Sequence, residues 1–227
     1  MRTTIANLEC IVENEGQSNC VVLFHGFGAD FSDLATLGDF LDPDGQWTWI
    51  FPNGPDKVDL GYHMTGRAWF PISQADLEQS MATGVPRDYA PITTKPPEQV
   101  MGDLHAFIED LKKQYKGIVL GGFSQGGMIA THLLADAGDS LMGVMLLSTV
   151  LLNKARLESI VDKTKPKPFF QSHGTRDPVL HIQYGQDLYQ MLKKKGWPAS
   201  WSEFPGGHEI PMPVLLKARE FLKNLAR

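Results

Sequence analysis

The sequence has few cysteines, no excess of positive charge and no long apolar run. Its two cysteines, Cys10 and Cys20, lack metal-ligand spacing and imply neither a disulfide framework nor a zinc site. Twenty-one lysines and arginines stand against 26 aspartates and glutamates, a net charge of −5. This balance argues against a general nucleic-acid or anionic-membrane surface. No apolar stretch approaches the roughly 18–20 residues of a membrane span, and the opening residues have no signal-like apolar core. The expectation is a cytoplasmic protein with no integral membrane segment. There is no Walker loop, no G-x-G-x-x-G and no H-E-x-x-H, so neither a metal nor another cofactor is expected.

What remains is ordinary globular composition, 42% hydrophobic and 21% charged over 227 residues. That length fits one domain, residues 1–227, with a sizeable core. Apolar runs alternate with helical patterns. Cys20-Val21-Val22-Leu23-Phe24 is apolar throughout, as a strand covered on both faces should be. Similar short runs precede Ser124, end near Leu147 and occupy Phe169–Ser172 and Ala199–Phe204. Helical spacing follows Pro97, Ser124, Pro178 and Pro211, with a shorter helix near 153–162. Strands alternating with helices predict a mostly parallel sheet with helices on both faces, an α/β fold. Residues 3–13 and 20–25, joined by a polar turn, predict an antiparallel hairpin at its edge. Ser32 is expected to cap a helix reaching Leu41.

Residues 55–96 break this rhythm. They are rich in Pro, Gly and Met and carry Tyr62, Trp69, Phe70 and Tyr89. A long irregular segment in a compact domain is usually functional, and aromatics argue against disorder. The reading is a lid-like excursion that supplies a pocket wall, with Trp69 and Phe70 nearest the reacting groups.

The chemistry centres on Gly122-Phe123-Ser124-Gln125-Gly126-Gly127, between an apolar strand and an apolar helix. A strand that turns at once into a helix strains the residue at the apex and leaves its neighbours no room for side chains. A bare G-x-S-x-G also arises by chance, so the partners decide. A serine hydroxyl needs a base, and the base an acid to orient it. Asp177 and His208 follow Ser124 in the chain, each in a glycine-bearing loop after a strand, in the order Ser, Asp, His. His132 lies within the helix after Ser124, His173 at a strand end, and His181 in the helix after Asp177. None shares the Gly-Gly-His context of His208. Two N–H donors for an oxyanion are expected from Gln125 and from Phe27, in the loop His25-Gly26-Phe27-Gly28. His25 is expected to brace that loop.

The stretches Leu23–Gly28, Gly122–Gly127, His173-Gly174-x-x-Asp177-Pro178-Val179 and Gly207-His208 resemble the phospholipase/carboxylesterase family, which includes the acyl-protein thioesterases. The resemblance spans most of the chain. It implies an α/β-hydrolase fold and a serine carboxylesterase acting on a small-molecule acyl ester or thioester through an acyl-serine. Ser124, Asp177 and His208 would be the triad, Phe27 and Gln125 the oxyanion donors, and Trp69, Phe70 and Val179 would contact substrate. Pro71 stands where many members have Asp after the aromatic pair, and Val179-Leu180-His181 replaces Val-Val-Pro. Gly207-His208-Glu209-Ile210 looks more like bacterial carboxylesterases. Two other readings are a lysophospholipase or protein thioesterase for long acyl chains, and a non-catalytic binding protein on the same fold. Monomer and homodimer both remain open.

Overall fold

The computed structural model describes residues 1–61, 63–72, 82–83, 88–91 and 98–227. An eight-stranded sheet runs through it in the order β1-β2-β4-β3-β7-β8-β9-β10. Its strands are β1 (Arg2–Ile5), β2 (Leu8–Glu13), β3 (Asn19–Phe24), β4 (Thr48–Pro52), β7 (Gly117–Phe123), β8 (Leu141–Leu147), β9 (Phe169–Gly174) and β10 (Ala199–Phe204). From β4 to β10 every neighbouring pair is parallel. A separate antiparallel ribbon joins β5 (Asp56–Asp59) to β6 (Thr65–Ala68).

The parallel strands are buried on both faces, and their residues divide by parity. Val22 and Phe24 of β3, Ile118 and Leu120 of β7, and Val144 and Leu146 of β8 enter one core. Val21 and Leu23, Val119, and Met145 and Leu147 enter the other. The first core is closed by α3 (Glu98–Gln114), α4 (Gln125–His132), α5 (Leu134–Ala137), α6 (Lys154–Asp162) and α7 (Ile182–Lys194). The second is closed by α1 (Phe31–Ala35), α2 (Gly38–Leu41) and α8 (Met212–Leu225). Alternating side chains on a pleated strand make two cores from one sheet. The mostly parallel α/β architecture is the one expected.

An antiparallel hairpin does open the chain, but its arms differ from the expected ones. It is β1 with β2, turning at Ala6 and Asn7, both with positive φ (43° and 70°). Two such residues make a tight turn whose twist suits antiparallel strands. β2 then pairs antiparallel with β4, which lies between β2 and β3. β3 is apolar on both faces and therefore belongs inside the sheet. The helix expected from Ser32 is also different. Asp30 is its cap, accepting from the Ser32 N–H at 2.8 Å, and the helix breaks into α1 and α2. The helix after Ser124 likewise divides at Leu133 into α4 and α5.

The register aligns five strand ends on one edge: Phe24 opposite Gly122, Phe123 opposite Leu147, Leu147 opposite Ser172, and Gly174 opposite Phe204. The loops after β3, β7, β9 and β10 therefore converge. Of the expected excursion over 55–96, residues 62, 73–81, 84–87 and 92–97 lie outside the described residues.

Candidate active site

Ser124 has φ 54° and ψ −120°, a conformation that L-residues rarely adopt. Its backbone is held from both sides. Its N–H donates to the Leu147 carbonyl at 2.9 Å, and its own carbonyl accepts the Thr149 hydroxyl at 2.7 Å. A Cβ at Gly126 would collide with the Phe24 carbonyl, and one at Gly122 with the Gly126 backbone. The glycines are thus set by backbone-to-backbone contact between β3, β7 and α4. Ser124 precedes the first turn of α4, where free N–H groups favour negative charge.

His208 lies in the loop after β10, and its Nδ1 stands 2.7 Å from Oδ2 of Asp177 in the loop after β9. The two loops are stitched together by the Thr175 N–H on the Phe204 carbonyl (2.9 Å) and the Arg176 N–H on the Gly206 carbonyl (3.0 Å). Asp177 Oδ1 accepts the N–H groups of Val179 and Leu180, each at 2.8 Å. Burial alone would raise the Asp177 carboxyl pKa. The imidazoles of His173 and His208 and the Leu180 N–H outweigh it and hold the carboxyl well below the usual carboxylate range. Asp177 is therefore a fixed negative charge that takes an N–H at His208 Nδ1. That leaves Nε2 as the nitrogen free to accept a proton. The Phe123 ring packs on the imidazole at 4.7 Å between centroids.

The loop after β3 is braced by His25. Its Nδ1 donates to the Gly26 carbonyl at 2.7 Å, and its Nε2 accepts the Gly54 N–H at 2.9 Å. Burial pushes its pKa down to about 4, as this neutral tautomer requires. The ribbon ties in at Gly28 and Ala29, each bonded to the Arg67 backbone, at 2.9 and 2.8 Å. The Phe27 N–H has no acceptor among the described residues.

A cavity of about 210 Å³ opens beside Ser124 and His208. Phe27, Ile72, Tyr89, Met128, Val179 and Leu180 form its largely apolar wall. Trp69 and Phe70, expected on this wall, are elsewhere. Trp69 is fully buried, its ring edge-on to Phe24 at 5.1 Å and its Nε1 donating to the His25 carbonyl at 2.9 Å. The Gln125 carboxamide clips the pair in place, accepting from the Trp69 N–H (3.0 Å) and donating to the Phe70 carbonyl (2.7 Å). The excursion instead contributes Ile72 and Tyr89. The Gln125 side chain and Thr149 were not read from the sequence as part of the site. Thr149 had a signal, since it follows β8 on the same sheet edge. His132 and His173 are buried in the core, and His181 caps α7 rather than lying within it.

A serine at a strained strand–helix turn and an acid–imidazole pair presented by the next loops are how α/β-hydrolases are built, and this chain is a hydrolase of that class. It belongs to the phospholipase/carboxylesterase family, which its residues 6–226 match. It is similar to acyl-protein thioesterase 1 of Kluyveromyces lactis, 29% identical over 78% of this chain and 77% of that protein. It is 31% identical to acyl-protein thioesterase 1 of Mycosarcoma maydis over 75% and 74% of the two chains. Among solved structures, esterase PE8 superposes with a TM-score of 0.78 at 26% identity, covering 96% of this chain and 99% of that one. The Bacillus cereus carboxylesterase shares the fold at 19% identity, TM-score 0.72, over 96% and 94% of the two chains. Among the described residues no helix is long and apolar enough to cross a membrane.

Proposed function

We propose that Ser124, His208 and Asp177 act as a catalytic triad that hydrolyses small carboxylic esters with short acyl groups. The single observation that carries this is the 2.7 Å bond of His208 to a buried, charged Asp177, with His208 and the strained Ser124 lining one cavity. His208 takes the Ser124 proton as Oγ attacks the ester carbonyl. The N–H groups of Phe27 and Gln125 receive the resulting oxyanion. His208 then gives its proton to the departing alcohol, leaving an acyl-serine, and a water activated by the same imidazole releases the acid. The intact triad disfavours the non-catalytic reading. Residues 1–227 act as one catalytic unit, and the excursion at 55–96 serves as its pocket wall through Ile72 and Tyr89.

Short acyl groups suit a cavity of about 210 Å³, which is below the ~300–1,000 Å³ of pockets for drug-sized ligands. One observation favours a longer substrate. A second hollow of about 680 Å³, between the ribbon and Pro71, shares Phe27 and Ile72 with the first. A long acyl chain has room to extend there, and the fungal relatives are named for acyl-protein thioesters. Cytoplasmic residence is part of the proposal and is supported by Cys10 and Cys20, both buried and free.

The test is kcat/KM over p-nitrophenyl esters and matched thioesters of increasing acyl length, with fluorophosphonate labelling of the wild type and of Ser124→Ala. Labelling of the wild type alone, with kcat/KM highest for short esters, supports the proposal. Equal labelling of Ser124→Ala, or no hydrolysis of any ester, overturns it. A rising preference for long acyl thioesters selects the second reading.

A further inference from the structure

His173 is the last but one residue of β9 and has no exposed surface. Its Nε2 stands 2.8 Å from the Leu180 carbonyl, so the ring carries its proton there, because a carbonyl has none to give. The same Nε2 is 3.4 Å from Oδ2 of Asp177. The other ring nitrogen, Nδ1, is buried with no partner among the described residues and faces Gly185 of α7. A Cβ at Gly185 would stand 2.5 Å from that Nδ1. The imidazole is thus fixed from behind by a missing side chain and in front by the turn Asp177–Leu180. That turn folds on itself through the Val179 and Leu180 N–H groups on Asp177 Oδ1.

The arrangement makes a relay of positions. α7 holds His173 through Gly185, His173 holds the Leu180 carbonyl, and the Leu180 N–H holds Asp177 Oδ1. The remaining oxygen, Oδ2, is left to His208, with the His173 N–H dipole directed toward the same carboxylate. We infer that His173 is a positioning residue that sets the Asp177 carboxylate for His208, with Gly185 kept side-chain-free to seat it. This rests on the triad reading of Asp177. Buried hydrogen-bond partners of reacting groups commonly matter this way, because a small displacement of an acid or base lowers turnover steeply.

The experiment is a double-mutant cycle on ester hydrolysis, read as kcat and KM separately. His173→Leu removes the donor at similar bulk, and His173→Gln restores an N–H at the distance of Nε2. His173→Leu is expected to lower kcat roughly 10- to 100-fold with a much smaller change in KM. His173→Gln is expected to recover most of that loss. In an Asp177→Asn background His173→Leu is expected to cost nothing further, because its effect passes through the carboxylate. Gly185→Ala supplies the second route should His173→Leu not fold, since it displaces the ring without deleting it. It is expected to lower kcat in the wild type and not in Asp177→Asn. Equal losses for Leu and Gln, or the same fold-loss in both backgrounds, overturn the inference. Asp177→Asn with near wild-type kcat overturns the triad reading instead, so the two failures are distinct.

Discussion

Gly126 and Phe24 meet backbone to backbone, so that a Cβ on Gly126 would run into the Phe24 carbonyl oxygen. The contact joins the first turn of α4 to the end of β3. It therefore sets the spacing between the two loops that offer N–H groups at Phe27 and Gln125. Gln125 adds a second tie through its carboxamide to Trp69 and Phe70. The nucleophile and the two proposed oxyanion donors are thus one rigid assembly rather than three loops placed independently.

Gly126→Ala is accordingly expected to damage both stability and turnover. The obstructing atoms are main chain and cannot swing aside, so the cost is on the order of 1–3 kcal/mol or more of overpacking strain. Thermal melting and kcat/KM on a short p-nitrophenyl ester should both fall. A variant that keeps the wild-type value of both would show that the contact is not what spaces the loops.

Ser124→Ala and His208→Ala are each expected to lower kcat on the order of 10⁶-fold, and Asp177→Asn about 10⁴-fold. The melting temperature of Ser124→Ala should stay near that of the wild type, whereas His208→Ala and Asp177→Asn break a buried carboxylate–imidazole pair and should melt earlier. His181→Ala is the control. Among the described residues its ring accepts only the Gln183 N–H, at 3.3 Å, as the cap of α7. Loss of a capping side chain costs about 0.5–2 kcal/mol, so this variant should melt earlier and keep its activity. Inactive His181→Ala with active His208→Ala would reverse the assignment of the base.

The parallel sheet was legible because its strands are short apolar runs between helical patterns, and burial on both faces leaves no other reading. The strand–helix turn was legible because backbone contacts at Gly122 and Gly126 leave no room for a Cβ, which writes glycines into the sequence on either side of Ser124. The partners of β2 were not legible. Pairing with β3 or with β4 satisfies the same half-buried pattern, and the turn at Ala6 and Asn7 has none of the glycine that usually marks such turns. The role of Trp69 was hidden for a different reason. In a segment without periodicity, an aromatic residue gives no sign of whether it faces a cavity or the core. The break at Leu133 has no Gly or Pro to announce it.

Trp69 and Val179 now separate two effects that the sequence merged. Trp69→Ala removes a fully buried ring and the hydrogen bond to the His25 carbonyl. It is expected to cost roughly 3–5 kcal/mol of stability, without a specific shift in acyl preference. Val179 is only partly buried and lines the cavity. Val179→Phe should narrow it, moving the kcat/KM optimum toward shorter acyl groups with little change in melting temperature. An altered chain-length profile in Trp69→Ala alone would return that residue to the pocket wall.

Stability should fall on acidification well before the carboxylates titrate. Burial pushes His25 and His132 from 6.5 down to about 4, only partly offset by their hydrogen bonds to the Gly26 and Leu152 carbonyls. Above pH 6.5 both are neutral, folded or unfolded, and contribute no pH dependence. Between 6.5 and about 4 the unfolded chain binds protons that the folded one refuses, so the folded state loses ground as pH falls. Each histidine accounts for on the order of 3 kcal/mol across that window, at about 1.4 kcal/mol per pH unit. Asp177 works in a different range. Its carboxyl is depressed, so its contribution is fully present above 3.8 and is lost only as pH drops further. Urea denaturation at pH 7.5, 6, 5 and 4.5 measures the slope. His132→Gln keeps a donor for the Leu152 carbonyl, 3.1 Å from Nε2, and cannot titrate. It should remove about half of the pH dependence in that window while leaving stability at pH 7.5 nearly unchanged. A slope identical to that of the wild type would mean that His132 is not one of the groups resisting protonation.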